Sequence, residues 1–274
     1  MPGEHRDQSV VITGASSGLG AALARSFADA GARLTLLARR QDQLEEIAAG
    51  CRTVGAEVET VVGDVTRIED GQRLVDHAVT AHGGIDCLIA NAGMSMWAPF
   101  EQVTDLTLFR QLMEVNYLGA VYCVHPALPH LQQRQGQFVA ISSIQGRMGV
   151  PNHTGYVAAK HALQGFCDTL RMEQQGRGVG VLTVLLHWLR GTELRHHAFG
   201  ADGAPMGDTR RGHSSESVSL EQACTAILRG VSRRERELVI PAKLKALAVL
   251  KVLRPRSAEA IVQRAVDKQD ESRS

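Results

Sequence analysis

Neither sign of charge dominates this chain. Lys and Arg total 30 against 29 for Asp and Glu, a formal net charge of +1 over 274 residues. A protein built around nucleic acid needs a basic surplus for the phosphates, so the balance excludes a polyanion as the principal partner. Paired cysteines are missing too: Cys51, Cys87, Cys123, Cys167 and Cys224 are scattered, with no C-x-x-C. That pattern excludes a disulfide framework and a cysteine zinc site, and the thiols read as small apolar fillers under reducing conditions. His196 and His197 bring too few good ligands to suggest a metal. There is no run of about 18 apolar residues and no apolar stretch in MPGEHRDQ ahead of the first strand, which excludes a membrane span and a signal peptide and points to the cytoplasm.

What is present is enough for a large core. The hydrophobic share is 44%, ordinary for a soluble domain. Short aliphatic runs at Val10–Ile12, Leu34–Leu37, Val58–Val62, Ile85–Ala90, Phe138–Ile141 and Val181–Leu186 alternate with helical patterns. Strands covered on both faces cannot alternate polar and apolar residues, so they show as continuous apolar runs. Between them, Leu23 and Phe27, then Leu44, Ile47 and Cys51, then Leu163, Phe166 and Leu170 fall at helical spacing. Strand and helix in alternation imply right-handed crossovers and a parallel sheet with helices on both faces. The expectation is a single doubly wound α/β domain of about seven strands over residues 1–266, closed by a helix near Leu220–Gly230 and a strand at Leu238–Ile240. Residues 195–219, rich in Gly, His, Ser and Arg, read as a lid or loop, and residues 267–274 as a disordered tail.

The first strand runs straight into Thr13-Gly14-Ala15-Ser16-Ser17-Gly18-Leu19-Gly20 and then a helix. Glycines there permit a tight turn and close approach to a pyrophosphate, while the helix amino terminus offers free N–H groups. Glycine turns are common, so the strand–turn–helix context carries the reading. The T-G-x-x-x-G-x-G spacing resembles the short-chain dehydrogenase/reductase family, and further segments match it: Asp64-Val65, Ala90-Asn91-Ala92-Gly93, Asn116, Ser143, Tyr156 and Lys160.

The resemblance implies a Rossmann-fold oxidoreductase moving a hydride between a nicotinamide cofactor and a carbonyl or alcohol. It implies that Gly14, Ser16, Ser17, Gly18, Leu19 and Gly20 hold the pyrophosphate, Asp64 and Val65 the adenine, and Asn91, Ala92 and Gly93 the dinucleotide's middle. The catalytic set it implies is Asn116, Ser143, Tyr156 and Lys160, with Tyr156 and Lys160 also touching the cofactor. It further implies a homodimer or homotetramer.

The choice of cofactor has a physical argument. An NAD enzyme places a carboxylate after the second strand for the ribose 2′-hydroxyl, but here Ala38 is followed by Arg39 and Arg40. A guanidinium pairs with a 2′-phosphate, so NADP, as NADPH in preference to NADH, is expected, with Arg39 the first choice of clamp and Arg40 the second. The alternative is that both are solvated charges opening the next helix.

Tyr156 and Lys160 are four apart and share a helix face. A phenol of pKa about 10 is a poor acid–base near neutrality, and a neighbouring ammonium lowers it. Ser143 would position the substrate oxygen, and the resemblance implies that Asn116 holds a water continuing the proton path from Lys160. After the sixth strand the family has Pro-Gly and then Thr; here Thr192 stands at the threonine position but His187-Trp188 replaces Pro-Gly. Tryptophan and histidine lack the backbone properties of that pair, which puts the nicotinamide pocket's shape in doubt. Met94, Met96, Trp97, Met148 and Val150 read either as an apolar substrate pocket or as core, and His153 as a substrate contact or a surface group. The basic, apolar stretch 241–256 leaves contact with a membrane surface as an alternative to covering the cleft or a subunit interface.

Overall fold

The computed structural model describes residues 4–194, 196–207 and 217–271. Strands Ser9–Thr13 (β1), Arg33–Ala38 (β2), Val58–Val62 (β3), Cys87–Ala90 (β4), Gln137–Ser143 (β5), Gly180–Leu186 (β6) and Glu237–Ile240 (β7) form one sheet in the order β3-β2-β1-β4-β5-β6-β7. Every pairing is parallel. The helices are Gly18–Asp29 (α1), Gln41–Thr53 (α2), Ile68–His82 (α3), Thr107–Met113 (α4), Gly119–Arg134 (α5), Thr154–Glu173 (α6), Leu220–Ser232 (α7), Lys245–Leu253 (α8) and Pro255–Glu271 (α9).

Strand periodicity divides the core in two. Val10 and Ile12 of β1 pack with α1, α2 and α7, together with Cys87 and Ile89 of β4 and Val139 and Ile141 of β5. Val11, Leu88, Ala90, Phe138 and Ala140 point the other way, onto α3, α5 and α6. Because side chains alternate across the sheet, both faces must be apolar, and the runs in the sequence follow from that. This is the doubly wound Rossmann arrangement. The strand order reverses between β1 and β4, so the crevice above their carboxyl ends is where such a sheet accepts a ligand. The five cysteines are free and buried.

The last third differs from expectation in one respect. Lys245–Leu253 of KLKALAVLKVL forms α8, Pro255 opens α9 at the helix position proline tolerates best, and helical backbone continues to Glu271. The segment expected to be disordered from residue 267 is thus helical as far as it is described; residues 272–274 lie outside the described residues. Leu244, with Leu247 and Val262 against it, joins Ile144, Met148, Leu185 and Val239 in a small apolar cluster. Val249, Val252 and Leu253 stay exposed. Among the described residues no helix is long and apolar enough to cross a membrane.

Of the expected lid, residue 195 and residues 208–216 lie outside the described residues. Residues 196–207 are irregular and are stitched to the loop after β4, with Trp97 N–H donating to Phe199 O (2.8 Å) and Phe199 N–H to Ser95 O (2.9 Å). Ser219 then caps α7: its hydroxyl accepts from Gln222 N–H while the Gln222 side chain accepts from Ser219 N–H.

Candidate active site

The glycine turn is shaped by clashes that any side chain would create. Gly14 has φ of +67°, and a Cβ there would lie 2.9 Å from Ala92 Cα. A Cβ on Gly20 would lie 2.2 Å from Gly14 O. Gly18, at φ of +53°, has room but needs the left-handed conformation. Gly18 also opens α1, so the turn brings backbone N–H groups to the sheet's crevice, a cradle that fits a dinucleotide pyrophosphate. Leu19 points down into the core.

Thr13 ties this turn to the next strand's exit. Its hydroxyl accepts from Asn91 N–H (3.0 Å) and Ala92 N–H (3.1 Å), while Asn91 Nδ2 donates to Thr13 O (2.9 Å) and Gly14 O (3.3 Å). Asn91, Ala92 and Gly93 therefore sit directly beside the glycine turn. Thr192 reaches it from the other side: its side-chain carbons would lie 3.7 Å from a Cβ on Gly18.

The two arginines part company. Arg39 extends toward Asp64, 3.7 Å away, and is largely exposed. Arg40 instead folds over the turn, donating to Ser17 Oγ (2.7 Å) and Ser16 Oγ (3.3 Å). Asp64 braces its own loop by accepting from Thr66 N–H and Oγ–H, while Asp70 accepts from Asp64 N–H. Val65 is buried against Gly119 at the start of α5.

Ser143 ends β5 and Tyr156 and Lys160 occupy the first turns of α6, which lies against β5 and β6. The Ser143 hydroxyl donates to Leu186 O (3.2 Å) and accepts from Gln145 N–H, and it lies beside the Tyr156 phenol. Burial pushes the phenol up to about 12, and the Ser143 hydroxyl draws it the other way. Lys160 Nζ donates to Ile141 O (3.0 Å), 5.6 Å from the Tyr156 ring centroid, and burial draws it down to about 8. Removal from water is thus the larger influence on the phenol as the side chains stand.

Asn116 lies in a π-helical turn, Glu114–Leu118, between α4 and α5, a local widening often found at functional sites. Its Nδ2 donates to Met94 O (2.9 Å) and Leu112 O (3.0 Å), and its Oδ1 accepts from Met94 N–H (3.3 Å). The side chain thus anchors the loop after β4. Gly93 joins the two groups, since a Cβ there would lie 3.1 Å from Asn116 Oδ1 and 3.8 Å from Lys160 Nζ.

A buried ammonium has a measurable consequence. Lys160 is held below its unfolded pKa, so between about pH 8 and the unfolded value near 10.4 the unfolded chain binds more protons and stability rises with pH. The full destabilisation lies below about pH 8. Lys160→Met is therefore expected to raise Tm at pH 7, by about 2–4 °C per kcal/mol gained, and the gain should shrink as pH climbs toward 10. Melting curves at several pH values check it; an equal gain at pH 7 and 10 would refute the buried charge as its cause.

The family model for short chain dehydrogenases matches residues 8–201, from the start of the sheet past Lys160 and Thr192. The chain belongs to the short-chain dehydrogenase family. It is 36% identical to an 11-beta-hydroxysteroid dehydrogenase 1A of Arabidopsis thaliana over 256 residues, 91% of this chain and 73% of that protein. The match to an 11-beta-hydroxysteroid dehydrogenase A of Sesamum indicum is 36% over 85% of this chain and 68% of that protein. An alcohol dehydrogenase from Thermococcus sibiricus, solved with 5-hydroxy-NADP, superposes with a TM-score of 0.72 at 25% identity, covering 84% of this chain and 94% of that one. A short-chain dehydrogenase/reductase from Burkholderia phymatum, solved with NAD, gives a TM-score of 0.79 at 22% identity over 90% and 94%, and shares the fold.

For a short-chain dehydrogenase, the segment after β6 is unusual. Trp188 is half-buried, its ring 6.0 Å from both Trp97 and His153, and His187 lies 6.2 Å from it. His153 packs on Trp97 at 4.6 Å and stands 6.5 Å from the Tyr156 ring. The residues replacing Pro-Gly are thus part of an aromatic group beside Tyr156, with His153 buried inside it and not at the surface. The apolar pocket candidates divide. Met94 and Met96 cluster with Tyr156, whereas Met148 and Val150 pack with β6, β7 and the C-terminal segment. Sequence reading passed over the bracing by Thr13, and over Glu193, whose carboxylate lies 3.8 Å from Arg40. Thr13 was visible within the T-G motif; the Glu193 contact is tertiary, with no local signal.

Proposed function

We propose that the chain is an NADP(H)-dependent oxidoreductase interconverting a carbonyl and a secondary alcohol, in one domain over residues 1–266. The observation that carries this reading is the burial of Tyr156 beside Ser143, with Lys160 Nζ 5.6 Å from its ring centroid and Gly93 linking Lys160 to the strand exit beside the glycine turn. A bound nicotinamide would supply or accept the hydride. Tyr156 gives or takes the proton on the substrate oxygen, Ser143 orients that oxygen, and Lys160 stabilises the phenolate form while Asn116 holds the adjoining loop in place. Gly14, Ser16, Ser17, Gly18, Leu19 and Gly20 would receive the pyrophosphate, Asp64 and Val65 the adenine, and Asn91, Ala92, Gly93 and Thr192 the remainder.

Preference for NADP is supported by Ala38 where a carboxylate would stand and by the Arg40 guanidinium on Ser16 and Ser17, with Arg39 next to it in the chain. Arg40, already on those hydroxyls, is the better placed clamp; Arg39 lies further out on Asp64. The substrate class is a bulky apolar alcohol or ketone such as a steroid. The names of the relatives and the apolar surround of Tyr156 (Met96, Ala98, Leu108, Leu112) support it. Buried free thiols suit a reducing cytoplasm, and a homodimer or homotetramer is the assembly to look for by light scattering.

The second reading, an NADP(H) sensor with little turnover, is favoured by one feature: Trp188 and His187 in place of Pro-Gly beside Tyr156. One experiment separates them. The chain's two tryptophans, Trp97 and Trp188, both lie in the site, so quenching of their emission reports nucleotide binding while NADPH oxidation is followed over a panel of steroidal and simpler ketones. Turnover with NADPH in preference to NADH supports the enzyme, and Arg40→Ala should weaken NADPH about 10-fold or more with little effect on NADH. Saturable binding without turnover on any ketone would favour the sensor.

A further inference from the structure

Arg40 has two ends, and they face different partners. One Nη donates to the serine hydroxyls of the phosphate turn; the other lies 3.8 Å from Glu193 Oε2, on the turn that follows β6 and Thr192. The same carboxylate oxygen lies 3.5 Å from His197 Nε2. We propose that Glu193 is a selectivity residue that competes with the 2′-phosphate of NADP(H) for Arg40. The inference rests on the reading of the chain as an NADP(H) binder.

The argument is one of donors and charge. A guanidinium grips a phosphate best through two parallel N–H donors, and Glu193 stands at one of them. A 2′-phosphate arriving at Arg40 therefore meets a like charge a few ångströms away and must displace the carboxylate. An unphosphorylated ribose makes no such demand, so Glu193 penalises NADP(H) and leaves NAD(H) alone. Asp64, the carboxylate beside Arg39, does not serve this way: Thr66 N–H and Oγ–H fix it within its own turn. Glu193 is 60% exposed and lies outside any helix or strand, free to swing aside. Exposed pairs add little to stability, so the contact has scant structural value to account for it. Its weight falls on selectivity between two ligands that differ by a phosphate.

The test is Glu193→Gln, an exposed and nearly isosteric change, with Kd for NADP⁺, NAD⁺ and adenosine 2′,5′-bisphosphate read from tryptophan quenching and calorimetry. Removing one negative charge at this range should tighten NADP⁺ and the bisphosphate by about 3–10-fold at low salt and shift NAD⁺ by less than about 2-fold. The gain should vanish in an Arg40→Ala background and should not follow His197→Ala. Equal changes for NADP⁺ and NAD⁺, no change, or weaker NADP⁺ binding would overturn the assignment while wild-type NADP⁺ binding stood. A wild type that binds no NADP⁺ would overturn the NADP(H) reading and the assignment with it.

Discussion

Tyr156→Phe is expected to lower carbonyl reduction by about 10²–10⁴-fold while tryptophan quenching shows NADPH affinity within about twofold of wild type. The phenol is buried beside Ser143, so the phenylalanine ring fits the same space and only the proton donor is lost. Ser143 keeps its bond to Leu186 O and its acceptor role to Gln145 N–H, which leaves no new unpaired group to unfold the site. A loss of both turnover and binding would instead mean that Tyr156 is principally a packing residue.

The same burial gives the two directions of the proposed reaction different pH dependences. With the phenol pushed up to about 12, Tyr156 holds its proton throughout the physiological range and stands ready as an acid for carbonyl reduction. Alcohol oxidation needs the phenolate and should rise with pH, whereas reduction should stay level until Lys160, at about 8, begins to lose its charge. Both directions, measured across pH 6 to 9, read the two groups separately.

Much of this was legible in the chain because it rests on local rules. Val58–Val62 coincides with its strand although that edge strand exposes Glu59 and Val62, and the others differ by a residue or two at their ends, since a strand buried on both faces shows as an apolar run. Asn116, Ser143, Tyr156 and Lys160 were legible as a motif. Their protonation was not: spacing puts Lys160 next to Tyr156 but says nothing of how completely both are removed from water. Arg40's turn toward Ser16 and Ser17 was hidden for a related reason, because neighbouring arginines look alike until the loop carrying Glu193 is seen to approach one of them. In the C-terminal stretch, polar residues interrupt the apolar stripe of KLKALAVLKVL, and the helix there follows from packing over Met148 and Val239. Propensity and pattern are weak guides where tertiary contacts decide.

Gly20→Ala is expected to destabilise the protein by about 2–4 kcal/mol and to abolish dinucleotide binding. The added methyl would sit 2.2 Å from Gly14 O and 2.6 Å from Asn91 Nδ2. The first is backbone within the turn, and the second is the amide that ties β4's exit to Thr13 and Gly14. Neither can give way without opening the phosphate cradle, so stability and binding should fall together. Gly50→Ala supplies the control. Gly50 lies inside α2 with nothing within 4 Å of an added Cβ, and alanine there should stabilise by about 0.5–1 kcal/mol through helix propensity and a less flexible unfolded chain. Thermal melts with and without NADPH distinguish the two. Added NADPH should raise Tm for wild type and Gly50→Ala and leave Gly20→Ala unmoved. If Gly20→Ala melts lower yet still gains Tm from NADPH, the clash is relieved elsewhere and the turn does not hold the pyrophosphate.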